Sequence, residues 1–142
     1  MLTVVYSSIA TEPFGDDDLA ALLATSRDAN AAVDVTGVLF SKNGYFLQLL
    51  EGPDEAVLDK MRRITADSRH DQVRTLLKEP TTERRFPDWT MAFAPTDDAR
   101  LTEVPGFRTT FAELDEEEPG DAVQPALRAL VRWFQEHPDH LR

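Results

Sequence analysis

Two apolar runs, Val33 to Ser41 and Tyr45 to Glu51, meet across Ser41-Lys42-Asn43-Gly44, and this junction limits the possible folds more than any other stretch. Asn-Gly is the strongest short hairpin signal because both residues tolerate positive φ, so the runs are predicted to pair as antiparallel strands. Upstream, Leu2 to Ser7 alternates as a strand, with Leu2, Val4 and Tyr6 on one face and Thr3, Val5 and Ser7 on the other. After the turn-like Thr11-Glu12-Pro13-Phe14-Gly15, the acids Asp16, Asp17 and Asp18 suit the positive end of a helix running to about Asn30. Its inward stripe is Leu19, Leu22, Leu23, Ser26 and Asn30, a row that turns polar near the helix end, as the lining over a ligand would. Asn30 also suits a plain C-terminal cap.

Downstream of the hairpin, Gly52-Pro53-Asp54-Glu55 opens a second helix whose buried row is Val57, Leu58, Met61 and Ile64, with Arg62 and Arg63 complementing its C-terminal dipole. The loop Asp67-Ser68-Arg69-His70-Asp71 leads to a strand at about Gln72 to Glu79. Arg84-Arg85-Phe86-Pro87-Asp88 leads to a last strand, Trp89 to Ala94, on which Trp89, Met91 and Phe93 share one face.

The order strand, helix, strand, strand, helix, strand, strand predicts an α+β fold: a ferredoxin-like sandwich, with a five-stranded mixed sheet and two helices on one face. The other face, with Tyr45, Leu47 and Leu49, needs cover. The chain beyond Pro95 offers it in a piece at about Leu101 to Leu114 and an amphipathic helix from about Ala122 to Glu136, striped by Val123, Leu127, Leu130, Val131 and Phe134. Asp121 with Gln124 resembles a capping box, the acidic link Glu113 to Gly120 reads as a solvated loop, and Trp133 reads as core. The expected organisation is one domain over residues 1–95 and a C-terminal helical extension over 96–142.

The 142 residues, 42% of them hydrophobic, suffice for one well-cored domain. No apolar run approaches the roughly 20 residues that span a bilayer, and the N-terminus reads as a strand rather than a secretory signal, so a soluble, cytoplasmic protein is expected. The absence of cysteine excludes disulfides and thiol catalysis. A net charge of -11 opposes nucleic acid and acidic membranes alike. With no GxGxxG, P-loop, GxSxG or HExxH, enzymatic activity has no footing, and His70, His137 and His140 are too scattered for an expected metal site.

The chemically telling residue is Gln48, in Phe46-Leu47-Gln48-Leu49-Leu50-Glu51-Gly52-Pro53. It shares its strand face with Phe46 and Leu50, so its amide points into packing. A buried amide left unsatisfied costs roughly 1 to 3 kcal/mol, so polar partners or a ligand must meet it. Tyr6, Ser26, Asn30, Arg69, His70, Trp89 and Met91 complete the constellation.

Together these residues resemble the BLUF family of flavin-binding blue-light sensors, in its short, stand-alone type. The likeness runs over residues 1–95, through Tyr6-Ser7-Ser8, Asn30, Val35-Thr36-Gly37, Phe46-Leu47-Gln48, Leu50-Glu51-Gly52-Pro53, Arg69-His70 and Arg84-Arg85-Phe86-Pro87-Asp88-Trp89-Thr90-Met91. The resemblance implies a flavin, FAD with FMN as the alternative, held without covalent linkage between the two helices by Tyr6, Ser26, Asn30, Gln48, Arg69 and His70. It also implies that light drives reversible electron and proton transfer from Tyr6 to the flavin and rewires the hydrogen bonds of Gln48. Trp89 or Met91 would turn inward beside that glutamine and relay the signal through the last strand and C-terminal helices. The implied output is a light-dependent contact with a partner protein, from a chain that is no enzyme and is expected to form a homo-oligomer. Two rivals remain on the residues alone: a flavin-free ferredoxin-like regulatory or self-association module, and a small acylphosphatase-like enzyme.

Overall fold

The computed structural model describes residues 1–11, 15–42, 44–68, 70–94, 103–114 and 123–142, and only the main chain of residues 16, 70, 113 and 114. The described chain forms two compact units, Met1–Phe93 and Ala94–Arg142.

The first unit is the expected α+β fold with a five-stranded mixed sheet. Its elements are β1 (Leu2–Ala10), α1 (Asp16–Ala32), β2 (Thr36–Lys42), β3 (Tyr45–Gly52), α2 (Asp54–Ala66), β4 (His70–Pro80) and β5 (Ala92–Ala94). The sheet order is β4-β1-β3-β2-β5, and β1 pairs antiparallel with both β3 and β4 while β2 pairs antiparallel with β3. The hairpin turns at Gly44, whose φ of 83° only a glycine adopts without strain. Asn43 lies outside the described residues.

Period-2 alternation sorts the sheet into two faces. On one, Leu2, Val4, Tyr6, Leu39, Phe46 and Leu50 join Leu23 of α1, Val57 of α2 and Met91 in one apolar core. On the other, Val5, Val38, Phe40, Leu47 and Leu49 are likewise buried. Of the predicted α2 row, Val57 is fully buried and Leu58, Met61 and Ile64 pack partly against the core.

Three boundaries differ from expectation. β2 begins at Thr36 rather than Val33, because α1 runs on to Ala32 and its end is closed when the main-chain N–H groups of Val33 and Val35 both donate to Asn30 O. Asp34 then takes a φ of 59°, a left-handed conformation that aspartate tolerates. β4 is longer at both ends than predicted. β5 is shorter: Trp89 and Met91 precede it, because the carbonyls of residues 89 to 91 are drawn to other partners described below.

The second unit contains α3 (Phe107–Leu114) and α4 (Val123–Glu136), followed by an unpredicted 3-10 turn at Pro138–His140. Val123, Leu127, Leu130, Val131 and Phe134 are buried as the α4 stripe predicts, joined by Ala126. Trp133 is half-buried, where the sequence reading made it core. It stacks on His137 (ring centroids 4.1 Å apart) and meets His140 edge-on, partners that lie at the half-exposed chain end rather than in the core, so two of the three histidines are neighbours rather than scattered. The proposed cap residue Asp121 and most of the acidic link lie outside the described residues.

Candidate functional site

Tyr6 and Gln48 are direct partners in the β1/β3 register, and Leu39 stands opposite Gln48 on its other side in β2. Three adjacent strands therefore present one row toward the helices. The β1/β4 pairing slips between Val5 and Tyr6, a bulge of the kind that re-aims a side chain beside a site. Over this row lies a cavity of about 550 Å³, within the roughly 300 to 1,000 Å³ typical of small-molecule sites. Its floor is Tyr6, Leu39, Phe46, Gln48 and Leu50. Leu22, Ser26 and Asn30 of α1 form one wall, and Lys60, Arg63 and Ile64 of α2 form the other.

The buried amide of Gln48 is satisfied from both ends. The Tyr6 hydroxyl donates to Gln48 Oε1, and Gln48 Nε2 donates to Met91 Sδ at 3.2 Å. The polarity of this chain is fixed chemically: a thioether sulfur only accepts, so the NH₂ end must face Met91 and the carbonyl must face the phenol, which then has to donate. Burial pushes the Tyr6 phenol above its ordinary range, and the carboxylate of Asp67 adds in the same direction. Tyr6 is thus held as a neutral hydrogen-bond donor.

Of the two relay candidates, Met91 is the buried one, 1% exposed, while Trp89 is half-buried. Neither sits on β5 as expected. Instead three successive carbonyls are held from outside: that of Trp89 by the Gly37 N–H at 3.0 Å, that of Thr90 by Asn30 Nδ2 at 2.7 Å, and that of Met91 by Arg27 Nε at 2.8 Å. Gly37 also lets β2 lie close against β3, since a Cβ there would collide with the Leu49 carbonyl.

Asn30, 2% exposed, both lines the cavity and grips Thr90. Asn30 lines the cavity, so its amide oxygen offers an acceptor to a ligand donor there. Ser26 is half-buried on the same wall. Arg69 lies outside the described residues, as does the side chain of His70, whose main chain begins β4. Among the described residues no cluster of three or more metal-ligating side chains occurs.

Sequence reasoning missed the charged lining: Lys60, Arg63, Asp18 and Asp67. Partial burial lowers the Lys60 ammonium below its ordinary range, the nearby Arg63 guanidinium acts the same way, and Asp59 opposes them. The i, i+3, i+7 spacing of Lys60, Arg63 and Asp67 beside Ile64 was the available signal. Together the site offers an apolar floor, an amide pair for a ring with carbonyl and N–H edges, and cations in its wall.

A family model described as BLUF, sensors of blue-light using FAD, matches residues 1–92. The photoactivated adenylate cyclase subunit beta of Euglena gracilis is 41% identical over 115 residues, which cover 80% of this chain and 13% of that protein. The chain thus spans about an eighth of that relative's length. Among solved structures, the photo-activated state of BlsA superposes with a TM-score of 0.73 at 26% identity, covering 92% of this chain and 94% of that one. The dark-state structure of the BLUF protein BlrB does so with a TM-score of 0.70 at 28% identity, covering 93% and 96%.

Proposed function

The chain belongs to the BLUF family of blue-light sensors that use flavin, and on that premise we propose that the row Tyr6, Gln48, Met91 is its photochemical switch. The observation that carries the reading is the single buried chain of hydrogen bonds from the phenol through the amide to the sulfur, laid along the floor of a cavity of suitable size.

Residues 1–95 form the flavin-binding domain and 96–142 a helical extension. The Asn30 amide would pair with the isoalloxazine edge, Ser26 would add a hydroxyl, and Lys60 and Arg63 would offer cations to the anionic portion of the flavin nucleotide, with Arg69 and His70 proposed as its further ligands. When bound and excited by blue light, the flavin supplies a strong oxidant. Tyr6 would surrender an electron to it, and its hydroxyl proton would pass by way of Gln48 Oε1, the acceptor already hydrogen-bonded to it, as Gln48 gives up a proton from its own nitrogen; an electron and a proton then return to Tyr6, so no net redox change remains. Gln48 then exchanges the ends of its amide by tautomer change or rotation. In the exchanged orientation the end facing Met91 is an acceptor, which a thioether cannot satisfy, so the Met91 contact is lost. The Met91 side chain is thereby freed to a second position, the two-state element a signal requires, and Trp89, the last strand and the C-terminal helices form the route by which the change is passed on.

The output is a light-dependent contact with a downstream partner protein. The chain itself acts as a sensor rather than an enzyme, forms a homo-oligomer and works in the cytoplasm. No helix of the described residues is long and apolar enough to cross a membrane, and the net charge of -11 disfavours nucleic acid. Absorption of the purified protein in darkness and after blue light tests the proposal: a flavin band that shifts reversibly to the red is expected. A protein that stays colourless after flavin addition, or a bound flavin whose band does not shift, overturns it.

A further inference from the structure

Glu51 lies in β3 three residues beyond Gln48, on the opposite face of the sheet, and is 0% exposed. Its Oε1 accepts the main-chain N–H of Arg85 at 2.8 Å and of Phe86 at 3.2 Å, and its Oε2 accepts the Thr3 hydroxyl at 3.1 Å. The Arg85 guanidinium stands 3.9 Å from the same carboxylate and reaches Thr3 Oγ1 at 3.2 Å. Arg84 adds a second hold alongside, from Nη1 to the Glu51 carbonyl at 3.3 Å.

A carboxylate buried this completely persists only when donors saturate it, and most of its donors come from Arg85 and Phe86. The burial of Glu51 and the position of those two residues are therefore one arrangement. The same stretch of chain, only five residues further on, delivers Met91 Sδ to Gln48 Nε2 on the other face. β3 thus holds the segment at both ends: through Glu51 at one, and at the other through the N–H to sulfur contact at Gln48, which stands beside the bonds from Gly37, Asn30 and Arg27 to the carbonyls of residues 89 to 91.

We propose that Glu51 is a positioning residue for the switch. By holding the main-chain N–H groups of Arg85 and Phe86, it sets the reach of residues 87–91 and so the meeting of Met91 with Gln48. The assignment rests on the reading of Gln48 as the switch. Because Met91 accepts from the dark-state orientation of that amide, loosening the clamp weakens the dark state and slows return to it.

Glu51→Gln keeps the size of the side chain but sets an NH₂ group against a nest of donors. In the flavin-loaded protein in darkness, amide hydrogen exchange at Arg85, Phe86, Thr90 and Met91 is expected to rise about tenfold, the equivalent of one lost hydrogen bond. The red shift should still form, with thermal recovery about threefold slower as part of that lost interaction reaches the recovery barrier. Thr3→Val removes one donor at nearly constant volume and should move both readouts the same way by about half as much on a logarithmic scale. It carries the test if Glu51→Gln fails to fold or to load flavin. A purely structural role would lower flavin loading or the melting temperature while leaving recovery of the loaded fraction unchanged, and that result overturns the proposal. So does unchanged exchange at Thr90 and Met91. Absence of any red shift in the unsubstituted protein refutes the Gln48 reading instead, and the exchange data then decide the clamp alone.

Discussion

Tyr6 and Gln48 stand directly across from one another in the β1/β3 ladder, with the phenol donating to the amide carbonyl inside a buried row. Directly opposed side chains on one sheet face come within about 5 Å at Cβ, so the register itself brings the two groups together. A slip of one residue would turn Gln48 to the other face.

Replacing Tyr6 with Phe removes the hydroxyl that donates to Gln48 Oε1. The light-induced red shift should disappear while the flavin remains bound, and the unfolding free energy should fall by roughly 1 to 3 kcal/mol for the orphaned amide. Absorption spectra under illumination and denaturant titration measure the two effects separately. A normal photocycle in this variant would refute the electron-donor role of Tyr6.

The raised Tyr6 phenol has a signature in alkali. Because the native state holds this proton more tightly than the unfolded chain does, both states are protonated below the ordinary phenol value near 10, and the contribution is fully present there. Above it the unfolded chain ionises first, so the contribution is lost as pH climbs toward the higher folded value. The difference in unfolding free energy between the unsubstituted protein and Tyr6→Phe should thus be flat between about pH 8 and about pH 10, then shrink. A difference that grows in alkali would contradict the buried neutral phenol.

Met91→Leu preserves volume and removes the sulfur that accepts from Gln48 Nε2. Stability should change by less than about 1.5 kcal/mol, because the site is apolar and the swap nearly isosteric. Dark recovery should slow, since the dark orientation of Gln48 loses its second partner. Flash photolysis gives the rate directly, and a recovery rate indistinguishable from that of the unsubstituted protein would remove Met91 from the switch.

Asn30→Ala should weaken flavin binding about tenfold or more, for one or two buried hydrogen bonds lost, and should also release the Thr90 carbonyl. Fluorescence titration with flavin checks the affinity, and amide exchange at residues 90 to 92 checks the release. Full affinity in the variant would place the cavity's polar recognition elsewhere.

The residues legible from sequence were those whose chemistry clashes with their pattern. Gln48 interrupts an apolar strand, Asn30 ends an apolar helix row, and Asn43-Gly44 fits only a turn, so each declares itself locally. What escaped were residues whose partners lie far along the chain. Glu51 reads as an ordinary strand end followed by Gly-Pro, and only the fold brings Arg85 and Phe86 onto it, across 34 and 35 residues of sequence. Arg27 reads as a solvated helix position until Met91, 64 residues away, offers its carbonyl. Lys60 and Arg63 look like the exposed side of an amphipathic helix, because periodicity separates apolar from polar faces and does not distinguish solvent from a polar cavity. The last strand is shorter than its pattern predicts for a related reason: alternation of Trp89, Met91 and Phe93 fits a ladder, whereas the carbonyls of residues 89 to 91 are held by Gly37, Asn30 and Arg27.

The exchange of ends by the Gln48 amide is best followed by its own nitrogen. The side-chain ¹⁵N amide resonances of Gln48, assigned by their absence in Gln48→Leu, should move under blue light and return in darkness, while those of Gln72 stay in place. Gln48 resonances that remain fixed while the flavin band shifts to the red would contradict the account.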